Sequence, residues 1–364
     1  MGKKTVNFLK LLQEKKYSLI VSIIENELKD EERTASILNL SGVARMLSSK
    51  SNDSIKLAIK DFKNSCYKET NKDKLFDPFK NFINASVILF DNEFRNNENE
   101  LNNNFFEEIH AFYNKNKILF EKDIKIMWDY SKVIKLTENT RDVINYFEKI
   151  MNFTPNLDTP KSNDIIPNKL YSFTTYNFFN NYLNDWSQSD FLSNSKKINN
   201  KLHTYKENEL TKIQSSKKSK INLGFISSDL RSKHSVGYFL RSLLTHHDKD
   251  KYNIFLYNNH VQEDETTREF SSKVFKSIQI GKLKDVEVIN LIRKDLIDIM
   301  IDLNGYSSDH RLVLLKNRLA PIQISWCGYT NTTGLNEMDY LIIDQNLVKK
   351  NEENLYSEKL IYLS

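Results

Sequence analysis

The sequence predicts two architectures in tandem, an all-α N-terminal region followed by a Rossmann-like α/β lobe on a mostly parallel sheet. Three observations carry that prediction. From Val6 to about Met151, apolar residues recur every three or four positions with Asn, Lys, Glu and Asp between them and almost no glycine, the spacing of amphipathic helices. From Ile221 onward, short apolar runs alternate with helical spacing, as βα units require. Between Ile297 and Gly334, two buried-strand patterns each end in a small polar loop containing glycine, which suggests a ligand edge. The predicted divisions are 1–152 for the helical region, 153–220 for a proline-rich linker with two aromatic-rich helices, and 221–364 for the lobe.

In the helical region the periodicity places helices over 6–14, 17–29, 34–48, 53–67, 77–92, 104–116, 120–134 and 139–151. Helices in pairs suggest an α-solenoid, and the best repeat is ILNLSGVARMLSSKSNDSIKLAIKDFKNS. There Gly42 lets two helices approach closely, and Ala58 with Phe62 reproduces the A-x-x-x-F knob of a tetratricopeptide second helix. The interval from Gly42 to Ala58 is longer than the motif's, and no second copy of comparable quality follows. Two readings stay open: one degenerate tetratricopeptide-like pair followed by divergent helices, or an irregular helical bundle.

The Asn-rich segment from Asp91 to Asn104 reads as a solvated loop. Pro155, Pro160 and Pro167 then mark the end of the helical array, near 152–168. The two following helices carry Tyr171, Phe173, Tyr176, Phe178, Phe179, Tyr182 and Trp186, a set expected to pack rather than to hold a cofactor. SSKKSK, residues 215–220, reads as a short basic linker.

In the lobe, INLGFIS, YNIFLYN, SIQI, residues 297–303, Ile322 to Trp326, MDYLIID and KLIYLS are expected strands. VGYFLRSLLTHH and DVEVINLIRKD are expected helices, as is the segment carrying Leu312, Leu315 and Leu319, which Pro321 is expected to stop. No G-x-G-x-x-G follows any strand, so dinucleotide binding is unsupported.

Composition sets further bounds. With 364 residues and 39% hydrophobic content, the chain has room for two ordinary cores. A net charge of +5, from 53 basic against 48 acidic residues, is too small and dispersed to make nucleic acid a default partner. Two cysteines, Cys66 and Cys327, cannot build a disulfide framework, which points to a reducing compartment such as cytosol. No apolar run reaches the roughly 20 residues that span a bilayer, so no membrane association is expected.

Chemistry is expected where three strand ends send loops to one edge: 227–235, 304–309 and 328–334. Their hydroxyls, amides and glycines suit a polyhydroxyl or phosphate-bearing ligand, and the helix start after His234 offers free N–H donors. Asn304, Gly305, Gly328, Thr332 and Thr333 are the candidate contacts. Asp229 and His234 can form an acid/base pair, because an imidazole beside a carboxylate titrates near neutrality. Each has a plainer alternative: Asp229 as a turn former, His234 as a satisfied loop histidine, the two threonines as helix caps. No His, Cys or acidic spacing suggests a metal site.

GFISSDLRSKHSVGYFL, IDIMIDLNGYSSDHR, APIQISWCGYTNTTGLNEMDYLIIDQ and YSEKLIYL, in this order and spacing, resemble the N-terminal half of the catalytic region of the O-GlcNAc transferase family. Those are tetratricopeptide-bearing protein O-glycosyltransferases with a glycosyltransferase-B fold. The resemblance covers about residues 221–364 and implies that the lobe is the N-lobe of such a fold. It also implies inverting, metal-independent transfer of N-acetylglucosamine from UDP-GlcNAc to Ser or Thr hydroxyls, with no cofactor besides the donor substrate. By that resemblance His234 lies beside sugar and acceptor as a candidate general base, and Asp229 is a candidate proton relay. Ser235 and Val236 follow the histidine at the substrate, Cys327 and Gly328 abut the donor sugar, and the helices bind the acceptor protein.

The sequence departs from the family in four places. The loop from Asp229 to His234 is one residue longer than usual, which puts their meeting in question. Thr330 replaces a usual proline and Cys327 a usual leucine, and a further upstream histidine has no counterpart between Ser172 and Tyr205. The family's second Rossmann-like lobe, which supplies most contacts to the diphosphate, is expected to lie beyond Ser364, so this chain alone is expected to be inactive. The alternatives are a helical interaction module with a vestigial lobe, or a transferase that uses another nucleotide sugar.

Overall fold

The computed structural model describes residues 7–96, 104–153, 169–214, 219–260, 263–307, 309–348 and 350–363. Pro155, Pro160 and Pro167, half of the Asn-rich segment and most of the basic segment lie outside the described residues. The chain divides into two compact units, Met1–Tyr146 and Phe147–Ser364. Among the described residues no helix is long and apolar enough to cross a membrane.

The first unit is helical throughout: α1 (Phe8–Gln13), α2 (Tyr17–Asn26), α3 (Ala35–Ser48), α4 (Asn52–Lys68), α5 (Phe76–Asn96), α6 (Asn104–Lys115), α7 (Lys117–Phe120), α8 (Ile124–Thr137) and the start of α9 (Thr140–Phe153). Side-chain caps set several starts. Thr34 accepts from the Ile37 amide, Ser51 from that of Ser54, and Asp123 from those of Lys125 and Ile126. The α3–α4 pair packs as its sequence suggests, since a Cβ at Gly42 would come within 2.5 Å of the Phe62 ring. Ser41 Oγ and Arg45 Nε both donate to Asp61 Oδ2, at 2.7 and 2.8 Å, and tie the same two helices together.

In the second unit α10 (Lys169–Asn180) and α11 (Gln188–Asn199) precede a lobe with the order β1 (Ile221–Ser227), α12 (Ser235–His246), β2 (Tyr252–Asn258), α13 (Glu265–Lys273), β3 (Lys276–Gln279), α14 (Asp285–Lys294), β4 (Ile299–Asp302), α15 (Leu312–Lys316), β5 (Ile322–Trp326), β6 (Tyr340–Asp344) and β7 (Lys359–Leu363). The seven strands form one sheet in the order β3-β2-β1-β4-β5-β6-β7, with every neighbouring pair parallel. Parallel strands need both faces covered, and adjacent β1 residues show it. Phe225 joins a core with Leu240, Leu244, Leu256 and Phe270, while Ile226 joins another with Ile289, Met300 and Leu315. This is the doubly wound α/β architecture the alternation implied.

Several local expectations need correction. Helix α5 runs on to Asn96, so the segment expected as a loop from Asp91 begins as helix, and α7 and α8 stand where one helix over 120–134 was expected. Helix α13 was not foreseen, because its sequence ETTREFSSK buries little apolar surface; reciprocal bonds between Asp264 and Thr267 start it instead. Helix α15 stops at Lys316, well before Pro321, and Arg318 then takes φ +48°. Its end is held by Arg293, which donates to the Arg318 carbonyl at 2.8 and 3.1 Å and also to that of Asn317. Tyr182, expected to pack, is 65% exposed.

Candidate functional site

Strands β1, β4 and β5 lie side by side and run the same way, so the loops that leave their carboxyl ends share one edge of the sheet. Side chains join these loops directly. The Asn304 amide nitrogen donates to Ser228 Oγ at 2.8 Å and to Asp229 Oδ2 at 2.9 Å, and the Ser228 amide returns a bond to Asn304 Oδ1 at 2.9 Å. On the other side, a Cβ at Gly328 would overlap the Leu303 carbonyl, and one at Gly305 would overlap Tyr329. Both positions therefore require glycine, and Gly305 also has φ +54°. Asp229, Asn304 and Gly328 thus stand in one contiguous cluster.

The backbone of this cluster is strained where side chains meet the edge. Lys233, just before His234, has φ +57°, and Cys327, between β5 and Gly328, has φ +73°. A non-glycine residue in this region costs of order 1 kcal/mol, and such strain concentrates at ligand sites.

His234 Nε2 lies 3.4 Å from Asp229 Oδ1, so the longer loop does bring the two side chains together, at ion-pair distance rather than in a tight hydrogen bond. Burial pushes the imidazole pKa below its usual value, while the Asp229 charge pulls it back up. Burial likewise raises the Asp229 carboxyl, opposed by the charges of His234 and Arg231. With Nε2 turned to the carboxylate, the proton of the neutral ring belongs there and the lone pair on Nδ1. Nδ1 is enclosed and has no hydrogen-bond partner. The Nδ1 lone pair is therefore unengaged inside the protein, a state that Nδ1 of His310 shares.

The other expected residues separate into groups. Ser235 is exposed at the first turn of α12, whereas the Val236 side chain is buried in the core beside Phe225 and Leu230. Cys327 and Gly328 are half-buried on the strained turn. Asn304 is 3% exposed, and its side chain is wholly engaged inside the protein. Thr332 and Thr333, expected as ligand contacts, are fully buried and face Glu358 instead. Thr332 Oγ1 donates to Glu358 Oε2 at 2.7 Å, the Thr333 amide donates to Oε1 at 2.7 Å, and the Thr333 hydroxyl also bonds Oε1. No helix starts there among the described residues, so they cap none. They anchor the third loop from below.

Sequence reasoning passed over Asp302 and Glu358. Asp302 closes β4, is fully buried, and its carboxyl is pushed up to about 6 by burial despite bonds from the Asn304 and Gly305 amides. Its signal was a carboxylate ending an otherwise apolar run. Glu358 lies 25 residues from Thr333, and nothing in the spacing links them. Among the described residues no group of three or more His, Cys, Asp and Glu side chains could hold a metal ion.

Part of the chain is similar to known glycosyltransferases. Residues 195–364 match glycosyl transferase family 41. A probable UDP-N-acetylglucosamine–peptide N-acetylglucosaminyltransferase SPINDLY of Arabidopsis thaliana is 36% identical over 147 residues, 39% of this chain and 16% of that protein. The probable transferase SEC of the same plant is 28% identical over 145 residues, 40% of this chain and 15% of that protein. The matched portion of the chain therefore spans about a sixth of these relatives' length. A Thermobaculum terrenum O-GlcNAc transferase mutant shares the fold with a TM-score of 0.61 at 18% identity, over 99% of this chain and 59% of that one. The portion that carries the Asp229–His234 edge is thus similar to glycosyl transferase family 41 and to these transferases.

Proposed function

We propose that this chain carries part of a protein O-GlcNAc transferase, with residues 221–364 forming one wall of the reaction site and the helices of 1–152 binding the acceptor protein. The observation that carries the reading is the Asp229–His234 pair at the carboxyl edge, which leaves Nδ1 of His234 without a partner in the protein. The donor is UDP-GlcNAc and the acceptor a Ser or Thr hydroxyl. His234 Nδ1 takes the hydroxyl proton as the acceptor oxygen bonds to C1 of the sugar. The bond from C1 to the phosphate oxygen breaks, its electron pair leaves with UDP, and the configuration inverts. Asp229 stabilises the imidazolium that forms. Ser235, the Val236 amide, Cys327 and Gly328 line the sugar side in this reading. The compartment proposed is the cytosol.

The test is transfer from UDP-GlcNAc to a Ser/Thr-rich protein, run with this chain alone and with any coding sequence that follows Ser364 attached. In whichever form is active, His234→Ala lowers turnover at least about tenfold with an unchanged circular dichroism spectrum. A near-normal rate removes His234 from the mechanism. No transfer in either form favours a helical interaction module, and transfer only from a different nucleotide sugar reassigns the donor.

A further inference from the structure

We propose that Asn304 is a positioning residue for the Asp229–His234 pair, clamping one oxygen of the carboxylate so that the other faces the imidazole. This rests on the reading of His234 as the base, and gives Asn304 a role other than ligand contact. A carboxylate held at neither oxygen can rotate and meet its histidine through either one or none. Here Oδ2 accepts from the Asn304 amide at 2.9 Å, and Oδ1 is the atom 3.4 Å from His234 Nε2. Division of labour between the two oxygens is what holds the imidazole in the Nε2–H tautomer, with the Nδ1 lone pair turned away from the carboxylate.

The clamp is itself braced from three directions. Asn304 Oδ1 accepts from the Ser228 amide, and Nδ2 is shared among Ser228 Oγ, Asp229 Oδ2 and Ser307 Oγ. The backbone of Asn304 is fixed from β4, where Asp302 Oδ1 accepts from the Asn304 amide at 3.2 Å and Oδ2 from the Gly305 amide at 2.8 Å. Tyr329 then packs over Gly305 from the third loop. Strand β4 thus reaches the pair through Asp302 and Asn304, although neither touches the imidazole. The charged groups facing Asp229 are His234 and Arg231 on its own loop, the latter 3.9 Å from Oδ1, together with Asp309 and Asp302 from the β4 side.

The test measures coupling rather than turnover, by NMR titration of the His234 imidazole in the full chain. In the native background Asp229→Asn removes a neighbouring negative charge and lowers the His234 pKa by about half a unit or more. In the Asn304→Ala background the same substitution lowers it by less than half that amount, because Asp229 keeps only its bond from Ser228 and Oδ2 is no longer fixed by Asn304. Equal drops in both backgrounds overturn the proposal. Should the alanine variant not fold, Asn304→Ser, whose shorter side chain falls short of Oδ2, carries the same expectation and the same overturning result. A normal rate for His234→Ala would refute the base while leaving this coupling measurable, so the two failures are distinguishable.

Discussion

Acid should destabilise the second unit through one residue outside the proposed chemistry, His310. Its ring is buried against α10, with Nε2 2.7 Å from Thr174 Oγ1 and Nδ1 without a partner. Thr174 can donate its own hydroxyl to the Leu170 carbonyl, which leaves its oxygen to accept from Nε2 in the tautomer protonated there. Burial lowers its pKa from 6.5 to about 3. The unfolded chain therefore takes up a proton in this range that the folded protein refuses. The stability His310 contributes is complete above pH 6.5 and lost as pH falls toward 3, about 5 kcal/mol over the whole range and about 2 kcal/mol between pH 7 and 5. Asp302 acts in the opposite sense. Its carboxyl, raised from 3.8 to about 6, contributes stability that is lost as pH rises through 6, and restores about 1 kcal/mol between pH 6 and 5. His310→Gln keeps a donor for Thr174 and removes the proton uptake. Urea unfolding, read from Trp186 and Trp326 in a Trp128→Phe background, should show the native protein losing about 2 kcal/mol more than the Gln variant between pH 7 and 5. His234 and the other titrating groups are common to both proteins and cancel in the difference. A pH-independent difference between the two would refute a neutral, buried His310.

Other consequences follow from packing. Gly328→Ala drives a Cβ into the Leu303 carbonyl, and should cost about 3 kcal/mol or more in urea unfolding, since backbone cannot move aside as a side chain can. Glu358→Gln turns an amide N–H₂ toward the donors of Thr332 and Thr333, with an expected loss of about 2–3 kcal/mol by the same assay. Gly42→Ala presses on the Phe62 ring and should destabilise the first unit by about 1–3 kcal/mol, read from Trp128; a shift in the second unit's transition instead would contradict the two-unit division.

Much of the fold was legible because its signals are local. The helices from α2 to α6, with α8 and α9, follow apolar periodicity to within about four residues, whereas the short α7 was not expected, and β5 occupies the expected Ile322–Trp326. Helix α13 escaped because a short, polar helix started by a capping box leaves little periodic signal. The site was legible as a set of loops but not as a set of contacts. Asp229 and His234 were singled out and do meet, despite the longer loop between them. Thr332 and Thr333 were read as ligand contacts because hydroxyls beside glycine look available, and their engagement by Glu358 appears only when β7 is laid beside β6.

By itself, then, the sequence determined the two architectures, the alternation that makes the sheet parallel, and which loops collect at its carboxyl edge, since each depends on residue spacing within one element. The tertiary structure decided which polar groups are left for a ligand. Asn304, Thr332 and Thr333 are bonded to residues from other loops, Ser228, Asp229 and Glu358, while Nδ1 of His234 has no partner. Hydrogen-bond satisfaction is a property of groups brought together from distant parts of the chain, so no reading of spacing could assign it.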